Sequence, residues 1–383
     1  MPKQHTKRPR PHKAVALAGK QRFLSVDFLR GLAVAGMILA NNPGDYQYVY
    51  EQLTHAQWHG WTATDFIFPL FLFLVGVSLG LTVDREKAEY TPGFWPKALR
   101  RAVILFLLGL FENGFPDFNL ESLRIPGVLQ RIAVVYIIAL WLHVRLDRRK
   151  ILALIVVVLL GYWVALELVP VPGLGYPSLG PDKNLEGWLD QVLLRGHLWT
   201  QDRDWDPEGI LSTFPAVTLA LVGTLGGCWL KNSRGEGAER IFRYGILLLL
   251  IGRIWNEFLP INKMLCTSSF VTFVCGAGLL ALAMGHRLLD RGFPRMWARP
   301  FLALGSNSLA LYITSETFER ILYVIHVQIG PGQSMDLHSF LFESLFGTVE
   351  SREMASLLWS ASILTLMLSL AWVLHARKIF IKL

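Results

Sequence analysis

Four residues suited to acid–base or hydrogen-bonding chemistry lie in one polar segment, residues 41–65, between two strongly apolar stretches. They are Asn41, His55, His59 and Asp65. An imidazole titrates near neutral pH, so His55 could take a proton from an attacking amine or alcohol, or attack a thioester as a nucleophile. A loop this short keeps its side chains close to the ends of the helices it joins. We therefore expect any chemistry to occur at one mouth of a helix bundle.

Each of these residues also has an ordinary structural interpretation. His55 and His59 could be two polar residues of a solvated loop, and their spacing alone favours that interpretation. Asn41 could cap carbonyl groups at a helix end, or donate to a developing oxyanion. Asp65 follows Thr62 at the start of an apolar stretch, where N-capping is a common role. The residue types alone leave these alternatives open.

Composition places this segment in a membrane protein. Of the 383 residues, 52% are hydrophobic and 17% are charged, and the mean hydropathy is positive. These values indicate a polytopic membrane protein. The net charge of +8 comes from short basic clusters between apolar stretches, as in cytoplasmic loops, and does not indicate nucleic-acid binding. Cys228, Cys266 and Cys275 lie in apolar stretches without CxxC spacing, so we expect small core residues and neither disulfides nor a metal site.

The predicted fold class is an all-α integral membrane protein with about ten transmembrane helices and both termini cytoplasmic. The spans, set by a hydrocarbon core of ~30 Å, are about 24–41, 62–83, 98–116, 127–144, 151–171, 210–230, 241–258, 264–287, 300–326 and 352–376. Most of the 37 lysines and arginines fall in the inner segments of this arrangement. The outer loops contain only Arg124, Lys183, Arg195, Arg203, Lys263 and Arg352, which assigns residues 41–65 to the outer side.

We divide the chain into two regions. Residues 1–22 are predicted to be a disordered basic cytoplasmic arm, and 23–383 a single helical domain with outer loops at about 42–61, 172–209 and 327–351. The end of the second loop predicts a helix start, with Asp206 as N-cap, Pro207 at the first helical position and Glu208 in the first turn. The third loop mixes glycine, proline and aromatic residues, and we expect it to lie along the membrane surface as a lid or interface element.

Ionisable residues inside the predicted spans are costly and often mark function. Asp27 and Arg30 are three positions apart, so they could pair with each other or contact a ligand. A polar patch at Gly305, Ser306 and Asn307 would allow close helix packing and leave amide groups inside the bundle. Further ionisable residues in the spans are Arg131, Arg253, Glu257, Glu316, Glu319 and Arg320. The sequence contains no metal-ligand spacing, P-loop, GxSxG or dinucleotide fingerprint.

Several motifs together resemble the transmembrane acetyltransferase family. They are Arg22-Phe-Leu-Ser-Val-Asp-Phe-Leu-Arg-Gly, Met37-Ile-Leu-Ala-Asn41, His55-Ala-Gln-Trp58-His-Gly-Trp-Thr-Ala-Thr-Asp65, Gly127-Val-Leu-Gln-Arg131, Asp206-Pro-Glu-Gly209, Pro260-Ile-Asn262-Lys263 and Gly305-Ser306-Asn307-Ser308. The resemblance covers most of residues 22–315. Its most specific part is the His-Ala-x-Trp block with the asparagine that precedes it.

The resemblance implies a membrane-embedded acyltransferase that moves an acetyl group from cytosolic acetyl-CoA to an amino sugar on the outer side. It implies His55 as the catalytic residue, acting as general base or acetyl carrier, and Asn41 as its partner. Candidate residues for binding substrate or acetyl-CoA are Asp27, Arg30, Trp58, Asp65, Arg131, Asn262, Lys263, Ser306 and Asn307. Among these, Arg30, Arg131 and Lys263 could hold the phosphates. No metal is expected.

The expected partners are acetyl-CoA, an amino-sugar acceptor and membrane lipids, with a homodimer left open. The chain lacks the large N-terminal lumenal domain of the family's lysosomal member, so we expect a short prokaryotic relative in the bacterial inner membrane with its own acceptor. The alternative hypothesis is a multi-pass transporter or flippase of a sugar or lipid-linked substrate, whose intramembrane charges would line the substrate path. The absence of an evident inverted repeat disfavours it.

Overall fold

A computed structural model describes residues 23–181, 183–199, 205–232, 236–291 and 296–381. The predicted basic arm, residues 1–22, lies outside the described residues. The helices are α1 Leu24–Asn41, α2 Ala63–Thr82, α3 Arg85–Tyr90, α4 Phe94–Gly114, α5 Val128–Arg145, α6 Arg148–Leu168, α7 Leu185–Leu194, α8 Thr213–Asn232, α9 Glu236–Trp255, α10 Ser268–Gly285, α11 Arg299–Ser306, α12 Ser308–Val324, α13 Leu337–Phe346 and α14 Arg352–Ala376. A two-stranded antiparallel hairpin, β1 His326–Gly330 and β2 Gln333–Asp336, precedes α13.

Within the described part of the chain, seven helices are long and apolar enough to cross a membrane. They correspond to α1, α2, α5, α6, α8, α10 with its π-helical extension to Asp290, and α14. This confirms a helical, multi-pass membrane protein. The number of ten spans and the cytoplasmic position of both termini stay predictions.

The three other predicted spans are also helical, but each departs from a simple apolar helix. Charged residues open α4, at Lys97, Arg100 and Arg101, and also open α9. The prediction of one uninterrupted helix over 300–326 was wrong, because the helix is broken at Asn307 and ends at Val324. The Asn307 side chain donates to Ile379 O at 3.0 Å and accepts from Ile381 N at 2.8 Å. These bonds fasten the chain after α14 to the break between α11 and α12.

Helix α2 lies at the centre of the bundle, against α1, α5, α8 and α10. Its contact with α8 is made by glycines on both helices, and a Cβ atom at any of them would overlap the backbone of the other helix. Gly76 faces the carbonyl of Ala220, Gly80 that of Thr224, and Gly223 that of Phe73. Small residues at such positions let two helix backbones approach closely inside a membrane. This close contact fixes α2, whose first turn carries Asp65.

The segments predicted as outer loops contain more regular structure than we expected. Residues 172–209 include α7, and residues 327–351 include the hairpin and α13. Phe342 of α13 packs against Gly44 and Trp359, so the hairpin and α13 are attached to the loop after α1 and to the start of α14. Whether this segment lies along the membrane surface stays a prediction.

The glycine contact generates a stability prediction. We expect Gly76→Ala to lower the stability of the protein by about 1–3 kcal/mol, the usual cost of overpacking a tight contact. The matched control is Gly161→Ala on α6, where a Cβ atom would have open space around it. The measurement is the thermal unfolding midpoint of both variants in detergent. Equal midpoints for the two variants would show that the α2–α8 contact tolerates separation.

Candidate active site

His55 and Asp65 form a close pair beside the first turn of α2. His55 Nδ1 lies 2.7 Å from Asp65 Oδ1, and the Asp65 side chain is fully buried whereas 37% of the His55 side chain is exposed. A carboxylate can only accept a hydrogen bond, so we assign the ring proton to Nδ1. Nε2 then carries the lone pair. This arrangement suits a general base or a nucleophile, since the carboxylate fixes both the tautomer and the orientation of the ring.

The same carboxylate also caps α2. Thr62 N donates to Asp65 Oδ2 at 2.9 Å, and Thr62 and Asp65 form a capping box. Ala56 N donates to the same oxygen at 3.1 Å. The N-cap residue is therefore Thr62, and Asp65 occupies the third helical position. Because one buried group holds the helix start, the loop and the imidazole, His55 is positioned by α2 itself.

Lys263 lies directly on the imidazole of His55. Its Nζ is 3.1 Å from Nδ1 and 3.0 Å from Nε2. A point this close to both nitrogens cannot lie in the ring plane without overlapping ring carbons, so the ammonium lies over the ring face. The in-plane lone pair of Nε2 therefore stays open to a substrate. Burial lowers the pKa of Lys263, and the carboxylates of Glu208 and Asp65 oppose that shift.

The loop after α9 presents Lys263 to this position. Asn262 Oδ1 accepts from Leu265 N at 2.9 Å, and Asn262 N donates to Thr267 Oγ1 at 3.0 Å. Gly60 adopts φ +103°, a conformation that favours glycine, and its N donates to Ile261 O at 2.8 Å. The turn that carries Lys263 is therefore bound to the loop that carries His55.

Trp58 and His59 connect this loop to other segments at the same end of the bundle. Trp58 Nε1 donates to Leu179 O at 2.7 Å, and its ring packs edge-on against Trp205 with centroids 5.1 Å apart. His59 Nδ1 lies 3.4 Å from Asn262 Nδ2, and burial lowers the pKa of His59. Trp58 thus supports the site from the side, and the described contacts of His55 do not include it.

Arg124, Asp206 and Glu208 form the charged wall of the site. Arg124 donates to both oxygens of Asp206 at 2.8 and 2.7 Å, and to Glu208 Oε2 at 2.7 Å. Burial alone would raise the pKa of Glu208, but Arg124, Arg131 and Lys263 hold it below its usual value. The prediction that Asp206 is a helix N-cap was wrong, because α8 begins only at Thr213 and the Asp206 carboxylate is bound by Arg124.

Asp190 of α7 holds the segment after Asp206 in place. Its two oxygens accept from Asp206 N at 3.2 Å and Ile210 N at 3.0 Å. Burial raises the pKa of this carboxyl to about 6. Arg131, which the sequence offered as a phosphate ligand, donates instead to Gly209 O at 3.0 Å and to Ser212 Oγ. Arg131 therefore fixes the backbone below the charged wall.

Asn41 contacts a different carboxylate. Its Nδ2 donates to Glu316 Oε1 at 3.1 Å, and Tyr46 OH donates to Asn41 O at 2.8 Å. Among the described residues, Asn41 shares no hydrogen bond with His55. The structure places both at the same end of the bundle, which we call the site end, but as parts of two neighbouring clusters.

Four of the predicted residues lie toward the opposite end of the bundle. Asp27 and Arg30 are 3.6 Å apart, and Arg30 also donates to Ser78. Arg30 is eleven residues before Asn41, about 16 Å along the helix axis. Ser306 donates to Ala303 O at 2.7 Å, and Asn307 is held by the chain after α14. The structure therefore separates these four from His55.

Sequence reasoning missed two contributors to the site end. Glu112 is a buried carboxylate on α4, and it is an ionisable residue inside a predicted span, so that rule could have found it. Glu208 was noted only as part of a helix start. Its contact with Arg124, 84 residues earlier in the chain, leaves no local signal.

Comparison with known proteins gives a match over the part of the chain that contains this site. Residues 22–191, which include Asn41, His55 and Asp65, match the family model described as the catalytic part of heparan-alpha-glucosaminide N-acetyltransferase. The human enzyme of that name is 27% identical over 421 aligned positions, which cover 94% of this chain, and the mouse enzyme is 26% identical. The chain spans 60% of the length of these relatives. The motifs at Asn41 and His55 thus identify a chain similar to the heparan-alpha-glucosaminide N-acetyltransferases over most of its length.

Proposed function

We propose that this protein is a membrane-embedded acyltransferase that transfers an acetyl group from acetyl-CoA to the amine of an amino sugar. The observation that carries the proposal is the Asp65–His55 pair, with a partly exposed imidazole and Lys263 over the ring face. The similarity to enzymes named for acetyl transfer to glucosaminide supports it. We further propose that the reaction occurs on the outer side of a bacterial inner membrane.

The geometry supports a direct role for His55 in moving a proton or an acetyl group. As a general base, Nε2 takes the proton from the attacking amine and later gives it to the departing thiolate. As a nucleophile, Nε2 carries the acetyl group before the amine attacks. In both cases Asp65 keeps the proton on Nδ1 and stabilises the charge that develops on the ring. Lys263, over the ring, adds a positive charge close to the carbonyl oxygen of the reacting acetyl group.

The phosphates of acetyl-CoA fit the opposite end of the bundle better than the site end. At the site end, Arg131 and Lys263 are already bound to the backbone and to His55. At the opposite end, Arg85 lies 3.4 Å from buried His143. The charges of Lys231 and Arg148 also act on His143, whose Nε2 has no hydrogen-bond partner among the described residues. When bound, acetyl-CoA would supply the activated thioester.

The first prediction about activity concerns His55. Purified protein should release CoA from acetyl-CoA in repeated turnovers only when glucosamine is present, and His55→Ala should lower that turnover by at least ~100-fold through loss of the base or nucleophile. His59→Ala, in the same loop, is the matched control, and its turnover should fall much less. Near-normal turnover in His55→Ala would contradict the assignment, and intact acetyl-CoA with the wild type would favour the transporter hypothesis.

A second prediction separates orientation of the imidazole from capping of α2. Asp65→Asn should lower turnover by about 100-fold or more, because an amide no longer enforces the productive tautomer. Asp147→Asn is the control, since Asp147 caps α6 in the same chemical way by accepting from Lys150 N. Both variants are compared by turnover and by thermal unfolding in detergent. Loss of stability without loss of turnover in Asp65→Asn would leave Asp65 as a cap only.

A third prediction tests the side of the membrane. The three native cysteines are buried, so single cysteines introduced at exposed Gln47 and Tyr90 report on the two ends of the bundle. We expect a membrane-impermeant maleimide to label Gln47→Cys in intact cells and Tyr90→Cys only in inverted vesicles. Labelling of Gln47→Cys only in inverted vesicles would place the site on the cytoplasmic side.

A further inference from the structure

A second polar cluster lies beside Asn41 and has no role in the scheme above. Glu316 of α12 is half-buried and accepts from Asn41 Nδ2 at 3.1 Å. Glu112 of α4 is buried, with only 7% of the residue exposed, and its Oε1 has no hydrogen-bond partner among the described residues. The two carboxylates are close enough to act on each other electrostatically. A buried carboxylate oxygen without a partner is costly, so this position favours a donor that the chain itself does not supply.

The basic residues near the pair have other partners. Arg320 acts on both carboxylates, while its guanidinium also donates to Phe115 O at 3.3 Å. Arg124 acts on Glu112 but is bound by Asp206 and by Glu208, as described above. Among the described residues, the two carboxylates therefore share one cation that is not already bound by another acid.

The remaining acidic neighbour, Glu319, already has partners on one of its two oxygens, while its Oε2 has none among the described residues. Glu319, one position before Arg320, lies 2.9 Å from Nε2 of buried His338 and accepts from Trp359 Nε1 at 3.3 Å. It therefore has partners of its own from α13 and α14. Among the described residues, Glu112 and Glu316 are the carboxyl groups of this cluster that form no ion pair with a basic side chain.

This cluster adjoins the site around His55. Glu208 acts electrostatically on Lys263, which lies on His55. Glu208 also acts on buried Tyr312, and Tyr312 in turn lies in the field of both Glu112 and Glu316. These electrostatic influences place the carboxylate pair on the side of the charged wall that faces Tyr312. We infer that the acceptor binds between the pair and the imidazole.

We propose that Glu112 and Glu316 form the binding site for the protonated amine of the acceptor, next to Asn41. The proposal rests on the proposed acetyl transfer and names the groups that recognise its second substrate. An ammonium group has three N–H donors and a positive charge, which matches two carboxylates with spare acceptor capacity. A neutral hydroxyl at the same position would lack the charge.

The pair also explains how an ammonium becomes a nucleophile. A protonated amine has no lone pair and cannot attack a thioester. One carboxylate accepts a proton from R–NH3⁺, giving R–NH2 and a neutral carboxylic acid. The free amine then forms the N–C bond to the acetyl carbon while the C–S bond breaks. His55 takes the second amine proton and passes it to the CoA thiolate, so that N-acetylated product and CoA–SH leave. The carboxylic acid then releases the first proton to water, which restores the carboxylate for the next turnover.

The test uses Glu112→Gln and Glu316→Gln in the full-length protein. Each change removes one charge and keeps the shape, and in Glu316→Gln the amide oxygen could still accept from Asn41 Nδ2. We expect KM for glucosamine to rise at least ~10-fold, in line with loss of one charged hydrogen bond, while KM for acetyl-CoA changes less than about twofold. Glu319→Gln is the matched control one turn along α12, where the amide oxygen can still accept from Trp359, and should leave both KM values near the wild type.

Two readouts distinguish amine binding from a purely structural role. Hydroxylamine is an acceptor that is largely uncharged at neutral pH. In the two variants, kcat/KM for hydroxylamine should fall much less than kcat/KM for glucosamine. Equal losses for both acceptors, or a fall in kcat with unchanged KM for glucosamine, would overturn the proposal and leave Glu316 as a support for Asn41. Absent turnover in the wild type would instead contradict the proposed function.

A measurement on the wild type applies even if a variant does not fold. Glucosamine should raise the thermal unfolding midpoint in detergent at pH 7, whereas glucose, which replaces the amine by a hydroxyl, should not. The shift should shrink as pH rises through the pKa of the sugar amine, because the neutral amine loses its charge. Equal stabilisation by glucose and glucosamine would overturn the proposal.

Discussion

The arrangement of the site depends on one buried carboxylate. Asp65 accepts from the backbone of Thr62 and Ala56 and from the imidazole of His55, so a single group joins the start of α2, the preceding loop and the imidazole ring into one unit. Removing such a group from water is costly unless each lone pair is bound. The bonds from the loop satisfy that requirement. The loop therefore cannot leave the helix end without exposing an unsatisfied buried charge.

The position of Asp65 in turn depends on the packing of α2. The glycines at the α2–α8 contact bring the two backbones together, and the first turn of α8 follows the segment that holds Asp206 and Glu208. Arg124 and Arg131 then attach that segment to the start of α5. The imidazole and the charged wall are thus both attached to helices that pack at the centre of the bundle. Loops alone would not hold reacting groups this closely.

The sequence predicts local structure well and long-range contacts poorly. The apolar stretches predicted both ends of α1 and α14, and each end of α2 to within one residue. They do so because the thickness of the hydrocarbon core sets the length of a spanning helix, and that length is visible as an apolar stretch in the sequence. The break at Asn307 could not be predicted, since its partners lie at residues 379 and 381. The prediction that Asp206 is a helix N-cap was wrong for a related reason. Its local preference for an N-cap competes with a bidentate bond from Arg124, which lies 82 residues away.

The candidate site shows the same division. Asn41, His55 and Asp65 were identified from residue type, position and resemblance. Lys263 was identified as well, but with another expected role, because a contact across 208 residues has no signature in spacing. Its position over the imidazole changes the role that we assign to the positive charge of Lys263. A cation that already lies on His55, close to Glu208, is a poor ligand for a phosphate but suits the stabilisation of a developing oxyanion. A donor with several phosphates would then have its charged part away from the reacting end, and only its thioester would need to reach His55.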